Sequence, residues 1–154
     1  MEHEDPVSRY QVTRLKDLIN QMVRCCEDRR LYEHQRFDLP YAWVKCLLLF
    51  SGERYLTVKS LAEKLDVAKS RVTKIVDGLV DKGLVLRMED PSDARVKLIS
   101  LTKKGEEKVR EVQEFHLGIH GKILTQMTPE ERSSVLSCLE RLHVAMEVVK
   151  ESLS

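Results

Sequence analysis

A mostly α-helical protein with one small β-hairpin follows from three features of these 154 residues. Apolar side chains recur three and four residues apart through most of the chain, which is the helical period. Leu, Glu, Lys, Val and Arg dominate, all but Val good helix formers, and there are only six glycines. Residues 84–101 break that rhythm with two strand-like runs around a polar, turn-rich loop. The length suits one domain and is short for two independent ones.

Taken in order, residues 7–34 carry Tyr10, Leu15, Leu18, Ile19, Met22, Val23 and Cys26 at broadly helical spacing, with no Pro or Gly, and predict a long amphipathic helix. Asp38-Leu39-Pro40 marks the next start, with Pro40 suited to a first helical turn. Residues 41–50 (YAWVKCLLLF) are apolar nearly all round and predict a central buried helix, ended by Ser51-Gly52-Glu53.

Residues 57–101 then give a short helix with Val58, Leu61, Ala62 and Leu65 on one face, and a turn at Asp66-Val67. In the second helix Val72, Ile75, Val76 and Leu79 fall at i, i+3, i+4 and i+7, a single buried stripe, and Gly83 stops it. The runs 84–88 and 96–101 read as strands, and residues 89–95 between them as a charged loop. Helix, turn, helix and hairpin outline a winged helix-turn-helix, a device for reading duplex DNA.

Thr102 is placed to cap the next long helix, with Gly105 an early weak point. Val109, Val112, His116, Ile119 and Ile123 form its seam. Thr128-Pro129-Glu130-Glu131 supplies a cap, a proline at the first position and an acidic first turn for the last helix, striped by Val135, Leu139, Leu142, Met146 and Val149. These seams, with that of the first helix, exceed what one small reading head can bury, so the two chain ends are expected to form a helical dimer interface. The alternative is an intramolecular bundle in a monomer.

The net charge of +1 does not advertise nucleic-acid binding, so any such function must rest on local segregation of charge. That segregation is present. With the apolar stripe facing inward, the second helix of the pair turns out Lys69, Ser70, Arg71, Thr73, Lys74 and Asp77, with no acid from residue 67 to 76. Arg71 suits a guanine edge, Ser70 and Thr73 suit phosphate or base edges, and Lys69 and Lys74 suit phosphates. The competing reading of this face is plain solvation.

The run LAEKLDVAKSRVTKIVDGLVDKGLV and the wing DPSDARVKLISLTKKG resemble the MarR family of bacterial and archaeal transcriptional regulators, and the likeness extends over nearly the whole chain. Its most specific part is Asp93-x-Arg95, an alternating strand, then Leu101-Thr102-x-x-Gly105. The resemblance implies one domain over 1–154, with a DNA-binding region at 39–102 and dimerisation helices at 7–34 and 103–152. It implies a homodimeric repressor or activator whose two recognition helices (68–82) enter successive major grooves of a pseudo-palindromic operator while the wings (87–97) reach minor grooves. Repression is the expected sense. Arg95 is the expected minor-groove side chain, where narrow A·T-rich grooves concentrate negative potential. Asp93 is expected to orient it, Asp77 to do the same from the recognition helix, and Arg87 and Lys97 to add phosphate contacts. The sequence departs from the family at Ala68, where a capping Ser or Thr is usual, a loss of about 1 kcal/mol, and at Ala94, where Arg is common.

Regulators of this kind commonly answer to a small molecule, and Tyr32, Arg36, Phe37, Tyr41, Trp43 and Cys46 are candidates to line its site, with ordinary core as the alternative. Metal sensing is the second option: His116 and His120 stand at i, i+4, with Cys46, His34 or Asp28 to complete a site. Redox sensing through Cys25-Cys26 is the third, although adjacent helical cysteines do not readily pair with each other. The four cysteines show no CxxC spacing, so reduced thiols in a cytoplasmic protein are expected. No apolar run approaches a membrane span, and the first ten residues lack the features of a secretory signal. No cofactor is expected. Nothing suggests an enzyme: there is no nucleophile elbow, phosphate-cradling Gly loop, HExxH or paired carboxylates. A winged helix serving only protein interaction is the remaining alternative.

Overall fold

The computed structural model describes residues 6–154. These fall into two compact units, one up to Val109 and one from Arg110 to Ser154.

In the first unit, α1 (Arg9–Phe37) starts with a reciprocal cap. The Gln11 amide donates to Ser8 Oγ at 3.2 Å, and the Ser8 amide donates to Gln11 Oε1 at 2.8 Å. It ends where Asp38 turns left-handed at φ 51°. Pro40 stands at the N-cap of α2 (Tyr41–Leu48), outside the first turn where it was expected, and the helix begins with Tyr41. Val44, Cys46 and Leu47 are its buried residues, while Lys45 is exposed. Leu49 and Phe50, expected in the helix, turn out of it, and Phe50 is buried.

The structure adds a strand the sequence did not reveal. β1 (Leu56–Thr57) pairs antiparallel with the second wing strand, Leu56 opposite Ile99 and Thr57 opposite Leu98. Two residues are too few to show a period. Thr57 also caps α3 (Val58–Leu65), accepting the Ser60 amide at 3.0 Å, and Asp66 ends that helix at φ 54°. Next comes α4 (Lys69–Asp81), whose Val72, Ile75, Val76 and Leu79 are buried as their spacing predicts. Each such side chain fully removed from water contributes about 1.5–3 kcal/mol.

The wing is longer and tighter than expected. β2 (Val85–Asp90) and β3 (Asp93–Leu101) extend through most of residues 89–95, leaving Pro91-Ser92 as the turn. Asp90 closes it by accepting the Ser92 amide at 2.8 Å and the Ser92 hydroxyl at 2.6 Å. The strand order is β1-β3-β2, with a register irregularity between Glu89 and Asp90.

Helix α5 (Lys103–Thr125) begins in the first unit and runs into the second. In the second unit, α6 (Pro129–Ser152) opens with a capping box between Thr128 and Glu131. Arg132 Nε fixes the connection by donating to the carbonyls of Leu124 (2.8 Å) and Met127 (3.1 Å). No residue of α6 is buried within the chain. Among the described residues no helix is long and apolar enough to cross a membrane.

Candidate nucleic-acid interface

The buried stripe of α4 fixes which of its side chains face solvent. Lys69, Ser70, Arg71, Thr73, Lys74 and Asp77 are all exposed. Thr73 spends its hydroxyl proton on the Lys69 carbonyl at 3.0 Å, so its oxygen remains an acceptor toward solvent. Ala68 occupies the N-cap with no side-chain hydrogen bond, and its carbonyl accepts the amides of Arg71 (3.0 Å) and Val72 (3.2 Å). The start of α4 is thus uncapped by any side chain.

On the wing, Arg95 is held by a fork. Its Nε lies 3.1 Å from Asp93 Oδ1, a terminal nitrogen 3.2 Å from Oδ2, and its backbone amide 3.0 Å from Oδ1. The arginine side chain is 90% exposed all the same, so it is aimed without being covered. The Arg95 side-chain and backbone hydrogen bonds hold the Asp93 carboxyl below its ordinary value.

The other two wing cations have acidic partners. Lys97 donates to Glu89 at 2.7 Å and to the Ala94 carbonyl at 3.1 Å, and its hydrogen bond and charge lower the Glu89 pKa. Arg87 is paired with Asp77 of α4. Asp77 therefore reaches the wing at Arg87, and not at Arg95 as expected. Glu89 was missed altogether, because a carboxylate in a presumed loop gives no sign of its partner.

The six candidate ligand residues have different surroundings. Phe37 and Cys46 are core, 3% and 0% exposed. Burial pushes the Cys46 thiol up to about 11, which leaves it protonated and inert at neutral pH. Trp43 lies over Gly78, where a Cβ would stand 2.0 Å from its ring, so its ring packs against α4. Tyr41 carries the Arg30 guanidinium 4.3 Å from its ring centroid and the Lys45 amine at 6.0 Å. Tyr32 and Arg36 are exposed, with the Arg36 guanidinium 5.8 Å from the Phe37 ring centroid. Gly78 itself was not singled out from sequence, although a glycine inside a helix is a signal of close approach.

His116 and His120 are neighbours on α5, with ring centroids 6.4 Å apart, and His120 Nδ1 lies 2.6 Å from the His116 carbonyl. His34 Nδ1 lies 2.9 Å from the Leu39 carbonyl. Among the described residues no group of three or more His, Cys, Asp or Glu side chains is placed to hold a metal ion. Cys25, Cys26 and Cys138 are exposed free thiols.

Two helices joined by a tight turn, α3 and α4, followed by the β2–β3 hairpin, define a winged helix-turn-helix protein. The MarR family model matches residues 44–97, from within α2 to β3. The transcriptional regulator AdcR of Streptococcus pneumoniae is 31% identical over 62% of this chain and 68% of its own length. The HTH-type transcriptional repressor MdtR of Bacillus subtilis is 34% identical over 60% of this chain, which spans 59% of MdtR. The crystal structure of Streptococcus pneumoniae FabT in complex with DNA superposes with a TM-score of 0.76 at 21% identity, over 88% of this chain and 99% of that one. The chain belongs to the MarR family of transcriptional regulators.

Proposed function

We propose that this protein is a homodimeric, sequence-specific regulator that binds double-stranded DNA and represses transcription until a small-molecule effector releases it. The observation that carries the reading is the exposed, acid-free face of α4 from Lys69 to Lys74, on a chain of net charge only +1, next to the outward Arg95. Residues 68–82 enter the major groove, where Arg71 reads base edges and Lys69, Ser70, Thr73 and Lys74 hold phosphates or edges. The wing, residues 87–97, brings Arg95 to the minor groove. The DNA in the FabT structure and the repressor MdtR support this assignment.

Dimerisation through helices 7–34 and 103–152 is supported by the apolar surface each leaves uncovered. On α1, Leu15, Leu18, Met22 and Val23 are exposed; on α6, Val135, Leu139, Met146 and Val149 are. Two copies place two recognition helices on a pseudo-palindromic operator. Exposed free thiols suit the reducing cytoplasm as the place of work.

Selection from a random duplex pool tests the reading. The expected result is enrichment of a sequence with two inverted half-sites, diminished when the right effector is added to the pool. Failure to enrich any sequence at low salt overturns it. Light scattering at micromolar concentration gives a dimer mass; a monomer overturns the symmetric arrangement.

A further inference from the structure

The Leu101-Thr102-x-x-Gly105 motif does more than start a helix. The end of α4 is a left-handed cap: Gly83 adopts φ 71°, its amide donates to the Val80 carbonyl and that of Leu84 to the Leu79 carbonyl, each at 2.9 Å. The carbonyls of Lys82, Gly83 and Leu84 lie beyond the helix, which ends at Asp81. The segment that opens α5 takes all three. Lys104 Nζ donates to the Lys82 carbonyl at 3.1 Å, the Thr102 hydroxyl to that of Gly83 at 2.6 Å, and the Thr102 amide to that of Leu84 at 3.1 Å. The Thr102 oxygen also accepts the Gly105 amide at 3.0 Å, so one hydroxyl both caps α5 and grips the end of α4. Gly105 lets the two backbones meet, because a Cβ there would lie 1.9 Å from the Leu84 carbonyl oxygen. The expectation that Gly105 is a weak point is therefore corrected: it is a point of contact.

We infer that Thr102, Lys104 and Gly105 are positioning residues for DNA reading, fixing the direction of the recognition helix relative to the first turn of α5. They touch no base. Their effect falls on where α4 points, and in a dimer that sets which separation of half-sites is bound best. The inference rests on the reading of α4 as the recognition helix of a dimer. Its special claim is that a chain with a loosened joint still recognises each half-site but tolerates the wrong distance between two of them.

The test uses the full-length protein and a series of duplexes in which two copies of the selected half-site are separated by spacers stepped one base pair at a time. The variants are Thr102→Val with Lys104→Met, Thr102→Ser, and Gly105→Ala, each checked for fold by its thermal melt. For the wild type, affinity peaks at one spacer. For the Thr102→Val, Lys104→Met protein, the ratio of best-spacer affinity to that one base pair away falls about threefold or more, the scale of losing hydrogen bonds. Its half-site base preference and salt slope stay as in the wild type, and Thr102→Ser keeps the wild-type profile. If Gly105→Ala does not fold, the side-chain variants decide alone. A Thr102→Val, Lys104→Met profile that superposes on the wild type after scaling, at whatever affinity, overturns the positioning role and leaves the DNA-reading assignment standing. A wild type that binds no duplex, or binds every spacer equally, overturns both.

Discussion

The Arg87 guanidinium on β2 is hydrogen-bonded to the Asp77 carboxylate on α4, so an ion pair joins α4 to the wing. The two side chains are 35% and 54% exposed, and water screens the pair. A double-mutant cycle with Asp77→Ala and Arg87→Ala in urea is expected to give a coupling of only about 0.5 kcal/mol. The larger effect is on DNA. Asp77→Ala frees Arg87 for a phosphate, so binding to mixed-sequence duplex tightens at low salt and its salt slope steepens by about one. An unchanged slope shows that Arg87 does not reach the backbone.

Arg71 and Arg95 are expected to fail differently. Arg71→Ala relaxes base preference at the position it reads, by about 1–3 kcal/mol of discrimination. Arg95→Ala weakens binding to all sequences and lowers the salt slope by about one. Gel shifts across a salt series separate the two; an Arg95→Ala protein with wild-type affinity and slope removes the wing from the interface.

Two helical glycines should respond to alanine with opposite signs. At Gly118 an added Cβ meets nothing within 4 Å, so Gly118→Ala stabilises by about 0.5–1 kcal/mol through helix propensity alone. At Gly78 the same atom strikes Trp43, and Gly78→Ala destabilises by about 1–3 kcal/mol through overpacking. Urea midpoints of the two variants check both signs.

Acid should loosen the wing. Glu89, Asp90 and Asp93 all titrate below their ordinary values of 4.5 and 3.8, chiefly through hydrogen bonds from Lys97, Ser92 and Arg95 respectively. A carboxyl with a lowered folded pKa favours the folded wing above its unfolded pKa and loses that contribution as pH falls through the folded value. The hairpin tip is thus fully held at neutral pH and weakens below about pH 4. Amide shifts of Ser92 and Arg95 followed by NMR should stay level down to pH 5 and move together below pH 4.

The long periods were what the sequence made plain: the α4 stripe and the order of helices, turn and hairpin are all present in the structure. What it hid lay in contacts between distant positions. β1 is two residues long and exists through its pairing with Ile99 and Leu98. Residues 89–95 looked like a loop because this exposed hairpin carries polar side chains along much of both strands. Gly105 looked like a flaw because the atom it accommodates, the Leu84 carbonyl oxygen, belongs to a segment beyond the hairpin. The Asp77 carboxylate was read as a partner for the wing, but the choice of Arg87 over Arg95 depends on how the strands cross the helix.

Trp43 is the chain's one tryptophan, and its ring rests on Gly78 in the last turn of α4. The protein therefore carries a built-in optical reporter against α4, the helix proposed to read DNA. A tilt of α4 on meeting DNA changes the indole's surroundings, and its emission can follow that movement in unlabelled protein.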